Sequence, residues 1–228
     1  MAYRCVATSV AGFVQQLAVA YVTHGYWFYV TGHIPGPKDP VLTDRKLIER
    51  YGIDVSKWTR ARRKRAGLAN VQYLRYGTFF VLLATHGEHS FFAAEGGQIC
   101  DIRKKPISVM GYSIGCRQER NGERYHASVR IQRQSYRDLK AHFEAMAVRW
   151  SAEELISELR AISFEPYAPV RDQLGCLLRA VNRRRRFAGL ELVPQAVILR
   201  GRKPARPFSP QDFGGRESPV GRGHDIIS

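Results

Sequence analysis

The chain has 228 residues, of which 44% are hydrophobic and 11% aromatic, and its formal net charge is +16. This apolar content is enough for a buried core, favours one domain over two, and excludes disorder of the whole chain. So basic a balance favours a polyanionic partner, and nucleic acid is the commonest polyanion inside a cell. The four cysteines form no Cys-x-x-Cys pair, which argues against a zinc knuckle and is typical of free thiols in the cytoplasm.

An apolar stretch at residues 10–22 is the first element. It is too short to span a bilayer and is followed by no small-residue cleavage site, so we expect no membrane association. The stretch predicts a buried amphipathic helix that Thr8 or Ser9 caps. The aromatic and β-branched residues 26–31 then predict a strand.

Two helix starts follow, at Asp39 and at Ser56, and the second helix is predicted to end near Gly67. The second helix carries the first concentration of positive charge, because residues 55–87 contain no acidic residue. The basic residues in that segment are Lys57, Arg60, Arg62, Arg63, Lys64, Arg65 and Arg75.

Residues 71–85 predict either a hairpin or one long strand. A second hairpin is predicted from residues 107–116 and 124–132, because Asn121 and Gly122 between them accept the backbone angles of a tight turn. Strands of this kind, mixed with helices, predict an α+β fold with a mostly antiparallel sheet of four or five strands. We expect an RRM-like or ferredoxin-like sheet with helices on one face.

The last third of the chain predicts helices, with capping boxes at Ser135 and Ser151 and a longer helix that ends at Gly189. Residues 195–199 are predicted to add a strand. The second basic segment, residues 179–206, has nine basic residues and one glutamate. Residues 1–208 are predicted to form the single α+β domain with C-terminal helices, and residues 209–228 a disordered tail.

Nucleic acid would be held by the two basic segments. The phosphate-binding candidates are Lys57, Arg60, Arg62, Arg63, Lys64, Arg65 and Arg75, with a second clamp formed by Arg183, Arg184, Arg185 and Arg186. An open sheet face offers stacking platforms for bases, and the candidates there are Tyr73, Tyr76, Phe79, Phe80 and Tyr112. The alternative interpretation is that each of these aromatic residues packs in the core. Trp58 is expected to anchor its helix to the core, with stacking on a base as the alternative.

Catalytic groups are few. His86, Glu88 and His89 would bind a divalent metal only with a further ligand, so the favoured prediction is that they form no metal site. Tyr136 and Lys140 lie one helical turn apart, where a tyrosine could attack a phosphodiester beside a lysine. The alternative is that Tyr136 packs and Lys140 is solvated.

The order of an early strand ending in Val30-Thr31-Gly32, a helical insertion, the segment from Tyr73 to Leu83 and a later helix with Tyr136 resembles that of HUH-type tyrosine nucleases. It is most similar to the REP-associated tyrosine transposases. That resemblance implies two metal-binding histidines in the Tyr73 segment and a helical tyrosine that joins single-stranded DNA. Phe79 and Val81 occupy the two histidine positions, and neither can bind a metal.

We therefore expect a cytoplasmic nucleic-acid-binding protein, for DNA in preference to RNA, single-stranded or structured, and derived from a mobile element. One alternative is a metal-dependent nuclease of the transposase kind that uses Tyr136 with His86, Glu88 and His89. The other is a basic adaptor that binds an acidic protein partner or ribosomal RNA. The first alternative requires a divalent metal, and the binding protein requires no cofactor. The sequence leaves the oligomeric state open.

Overall fold

A computed structural model describes residues 3–119, 122, 124–198, 201 and 205–209. Its seven α-helices are α1 (Val10–Gln15), α2 (Pro40–Arg50), α3 (Lys57–Arg65), α4 (Ser90–Glu95), α5 (Arg133–Met146), α6 (Ala152–Ala161) and α7 (Ala168–Phe187). Its seven strands are β1 (Phe28–His33), β2 (Val71–Tyr76), β3 (Phe79–Ala84), β4 (Cys100–Asp101), β5 (Ile107–Val109), β6 (Tyr112–Gln118) and β7 (Tyr125–Ile131). Helices and antiparallel strands together confirm the predicted α+β class.

The N-terminal helix starts where the sequence predicts, because the Ser9 side chain accepts a hydrogen bond from the Gly12 amide. Beyond α1 the chain continues through a π-helical turn at Gln16–Tyr21 and a 3-10 turn at Val22–His24. Gly25 then ends the helical segment with a φ of 91°, a conformation that glycine adopts without strain. None of the described helices is long and apolar enough to cross a membrane.

The larger sheet has the strand order β2-β3-β1-β4, with every neighbouring pair antiparallel. Helices α2 and α3 connect β1 to β2, a two-residue turn connects β2 to β3, and α4 leads to β4. This alternation and this order are those of a ferredoxin-like sheet. The β2–β3 hairpin confirms the first of the two interpretations of residues 71–85, and Gly77 in its turn has a φ of 58°.

Helices cover both faces of this sheet, whereas the sequence predicted helices on one face only. On one face Tyr73 donates to Asp44 of α2, and Phe28 packs against Phe92 of α4. On the other face Phe13 of α1 packs edge-on against Phe79, at 5.8 Å between ring centroids. The face that an RRM leaves open for bases is therefore filled by the N-terminal helix.

The five predicted stacking residues lie in the hydrophobic clusters or pack against them. Tyr73, Phe79 and Tyr112 are buried, and Tyr76 is half-buried against the core. Phe80 is half-buried, and its ring lies over Gly32 on the neighbouring strand, where an added Cβ would come within 2.5 Å of the ring. Three of the five are thus unavailable for stacking, and the other two are partly covered.

A second antiparallel sheet has the order β5-β6-β7. Residues 107–116 were predicted as one strand, but a turn at Met110 and Gly111 divides them, with φ values of 48° and 78°. Asn121 of the second predicted turn lies outside the described residues. Side chains of both sheets meet in one core, since Val81 of β3 and Val129 of β7 belong to the same buried cluster.

The C-terminal helices pack on the second sheet. The capping box at Ser151 and Glu154 is confirmed, but α5 begins at Arg133, so Ser135 lies inside the helix and caps nothing. Gln195–Ile198 form a 3-10 turn and not the predicted strand. Pro207 accepts a hydrogen bond from the Thr8 amide, which holds residues 205–209 against the N-terminal segment.

Candidate nucleic-acid interface

Helix α3 is held to the protein by its backbone and its ends. Ser56 caps its first turn, the Arg63 guanidinium donates to the Gly52 carbonyl at 3.2 Å, and the Asn70 amide donates to the Arg60 carbonyl at 3.0 Å. None of its nine residues is buried. A helix that contributes nothing to the core owes its side-chain composition to something other than packing.

The side chains of α3 form an exposed basic surface. Lys57, Arg62, Lys64 and Arg65 are exposed, while Arg60 and Arg63 are half-buried. No carboxylate of the described residues forms an ion pair with any of these cations. The positive charge of α3 is thus available to a ligand.

Trp58 is the most informative residue of this surface. The prediction that it anchors α3 to the core is wrong, because its side chain is 82% exposed. An indole of this size is rarely left in water without a use, since its burial would stabilise the fold by more than that of almost any other side chain. Surrounded by arginine and lysine, its flat face is suited to stacking on a base.

The second basic surface lies at the C-terminal end of α7. Arg183, Arg184 and Arg186 are exposed there, and Phe187 beside them is 88% exposed. Each basic surface therefore carries one aromatic ring that is almost wholly in solvent. Arg200, Arg202 and Lys203 of the second basic segment lie outside the described residues.

Arg185 departs from its neighbours and from the prediction. It is buried, and its guanidinium donates to the carbonyl oxygens of Ala147, Trp150 and Glu191. The bonds to Ala147 and Trp150 tie the end of α7 to the α5–α6 junction, and the bond to Glu191 holds the segment that follows α7. Arg185 is therefore a structural residue and does not belong to an exposed phosphate-binding surface.

Arg75 departs from the prediction in the same way. It is buried, and two of its nitrogens donate to the two Asp44 carboxylate oxygens, each at 2.7 Å. The hydrogen bonds to Asp44 raise the pKa of Arg75 above its usual value, so the charge is permanent and internally compensated. This ion pair joins α2 to β2, and Arg75 is not available to phosphate.

The predicted nucleophile is also used structurally. Tyr136 is half-buried, and its hydroxyl donates to the Gln173 carbonyl at 3.0 Å, joining α5 to α7. Burial raises the pKa of Tyr136, which disfavours the phenolate that attack on phosphorus requires. Lys140 is half-buried one turn along α5 and lies 3.8 Å from Glu144.

His86, Glu88 and His89 are not brought together as metal ligands. His86 and Glu88 are exposed, whereas the His89 ring caps α4, its Nδ1 accepting a hydrogen bond from the Phe91 amide at 3.0 Å. Burial, with the nearby Arg63 charge, lowers the pKa of His89. Across the described residues, no group of three or more His, Cys, Asp or Glu side chains is placed to hold a metal ion.

A cavity of about 630 Å³ opens beside the start of α3. Lys57 and Arg60 form its basic side, and Tyr3, Tyr21 and Phe208 contribute aromatic walls. The volume is in the range of sites that hold small organic molecules. Sequence reasoning missed this cavity, because its walls come from segments far apart in the chain, from Tyr3 through α3 to Phe208.

Comparison of the chain with protein-family models, with curated proteins and with solved structures found no match. The resemblance to the HUH-type nucleases therefore stays a prediction. What the site can do chemically follows from its own geometry, which presents exposed cations and two exposed aromatic rings.

Proposed function

We propose that this protein binds nucleic acid in the cytoplasm, with α3 as the principal contact and the end of α7 as a second one. The observation that carries the proposal is an α-helix with no buried side chain, six basic residues, no ion pairs to described carboxylates and a tryptophan 82% exposed. Lysine and arginine would bind the phosphates, and Trp58 would stack on an unpaired base.

Attraction between charges does not explain why the Trp58 side chain is exposed. An adaptor for an acidic protein would use the same cations, but base stacking gives an exposed indole a specific role. Stacking requires a base with a free face, so the proposal favours single-stranded or structured nucleic acid over a continuous duplex. A nuclease that uses Tyr136 has less support, because that hydroxyl is engaged by Gln173.

The test is the salt dependence of binding. Replacing Arg62, Lys64 and Arg65 by glutamine removes three exposed cations that form no ion pair with a described carboxylate. Because each phosphate contact contributes about 0.7 to 0.9 to the slope of log affinity against log salt, the slope should fall by about two to three. Fluorescence anisotropy with a labelled oligonucleotide measures it.

A matched control removes the same charge elsewhere. Lys38, Arg45 and Lys46 are also exposed, and their replacement by glutamine lowers the net charge equally. The proposal requires a smaller change of slope in this variant than in the α3 variant. Equal changes in the two variants would mean that only the overall charge attracts the polymer, and α3 would not be an interface.

A further inference from the structure

A cleft of about 670 Å³ lies between α5, α7 and the 3-10 turn Gln195–Ile198. Four cations line it: Lys140, Arg179, Arg183 and Arg186. Among the described residues that line the cleft, none is acidic. We propose that this cleft is a binding site for closely spaced phosphate groups, such as those of a nucleotide or of a polynucleotide end.

The helical period explains why the cations converge. Arg179, Arg183 and Arg186 are spaced by four and three residues, so they lie along one side of α7. Lys140 reaches the same cleft from α5, one turn after Tyr136, whose bond to Gln173 fixes α5 against α7. The sequence spreads these four residues over two segments, and the fold puts them in one concave surface.

The walls are fixed independently of any ligand. The Asn182 side chain forms two hydrogen bonds with the Val193 backbone, at 2.8 and 2.9 Å, and these hold the segment before Gln195 against α7. Arg185, on the opposite side of α7, ties the helix end to the α5–α6 junction. Such bracing fixes the backbone from which the cations project, so the cleft does not have to form on binding an anion.

Gly175 lines the cleft, where a Cβ would lie at ordinary van der Waals distances from its neighbours, 3.5 Å from the Arg179 guanidinium and 3.8 Å from Ile198. Arg179 is itself oriented, since its Nη2 lies 3.0 Å from the Cys176 sulfur. The arginines of the cleft are exposed to solvent, and their like charges still repel each other at short range. A bound anion relieves that repulsion.

The geometry favours compact phosphates over an extended strand. Arg179, Arg183 and Arg186 form no ion pair with a described carboxylate, whereas Lys140 lies 3.8 Å from Glu144. The cleft therefore offers three uncompensated positive charges and a fourth shared with Glu144, which suits two adjacent phosphates better than one isolated phosphate. A single strand places one charge per about 3.4 Å along its axis and would engage fewer of the four cations at a time. The proposal does not depend on α3, which contributes no residue to this cleft.

Neighbouring residues of α7 provide the test. Arg183 and Arg184 are both exposed on one helix, but only Arg183 lines the cleft. Inorganic pyrophosphate titrated calorimetrically at low salt should bind the wild-type protein saturably. Binding to Arg183→Gln should be weaker by about tenfold, and Lys140→Gln should also lose affinity, whereas Arg184→Gln should change it less than about twofold.

Competition then distinguishes the source of the phosphates. Displacement of a labelled 5′-phosphorylated oligonucleotide by pyrophosphate would assign the cleft to a polynucleotide end, and binding without displacement would assign it to a small phosphorylated molecule. No saturable binding of pyrophosphate, or equal losses in Arg183→Gln and Arg184→Gln, would overturn the proposal. The triple α3 variant should bind pyrophosphate as the wild-type protein does. The two proposals can therefore fail independently, since α3 affects only the binding of oligonucleotide.

Discussion

Replacing Trp58 by alanine should separate binding from folding. Because the side chain is 82% exposed and α3 has no buried residue, the substitution should change the free energy of unfolding by less than about 0.5 kcal/mol. A stacked base is worth about 1 to 3 kcal/mol by alanine substitution. The dissociation constant for single-stranded oligonucleotide should therefore rise by about five- to 150-fold.

The assay is fluorescence anisotropy at several salt concentrations, with urea unfolding as the measure of stability. Trp58→Ala removes no charge, so the slope of log affinity against log salt should stay that of the wild-type protein while the affinity falls at every salt concentration. Trp58→Phe keeps a flat ring and should recover most of the affinity. The two contributions, charge and stacking, are thus separable in one helix.

Inorganic polyphosphate supplies the control, since it has phosphates and no bases. Its binding should be the same in Trp58→Ala as in the wild-type protein. Equal losses for polyphosphate and oligonucleotide would mean that the substitution disturbs α3 itself. No loss for the oligonucleotide would refute the assignment of Trp58 as a stacking platform and would leave its exposure unexplained.

Three further predictions concern groups that the fold uses internally. Asp44→Ala should lower the free energy of unfolding by about 3 to 5 kcal/mol in urea denaturation, because it leaves the buried Arg75 charge uncompensated; replacing both residues by apolar ones should recover much of that loss. The pKa of His89 is lowered in the fold, so its contribution to stability should be complete above about pH 6.5 and should decrease as the pH falls below that value. The variant His89→Asn still caps α4, and it should abolish this decrease when unfolding is measured as a function of pH. Tyr136→Phe should cost about 1 kcal/mol of stability and leave oligonucleotide affinity unchanged, whereas a covalent DNA adduct lost in this variant would restore the nuclease hypothesis.

Local signals in the sequence predicted most element boundaries, because they act over three or four residues. Ser9, Asp39 and Ser56 are N-caps in the structure, and each satisfies an amide of its own first turn. The failed cap at Ser135 has a local cause too. Gln132 is still bonded to Gly111 beside the second sheet, so the helix begins directly after the strand, three residues earlier than the cap signal indicates.

The sequence could not predict which basic residues are compensated inside the fold, because that depends on contacts between residues far apart in the chain. Arg75 belongs to a charge run by composition, and its partner Asp44 lies 31 residues away. Two features of the sequence nevertheless indicate these outcomes. Arg75 lies two residues after Tyr73 and four after Val71, so it shares with them the strand face that α2 covers. Trp58 has no apolar neighbour three or four residues further along α3 apart from Ala61, so it has little to pack against.

The buried cations of this fold differ from those of α3 in having several acceptors within the protein. Where this fold needs a guanidinium it provides acceptors, as Asp44 does for Arg75 and three carbonyl oxygens do for Arg185. Of the α3 cations, Arg63 has one carbonyl acceptor, that of Gly52, and none of the six forms an ion pair with a described carboxylate. Their mutual repulsion costs a few tenths of a kcal/mol per neighbouring pair. The proposed nucleic-acid ligand would relieve this repulsion, and its bases would give the exposed indole a partner.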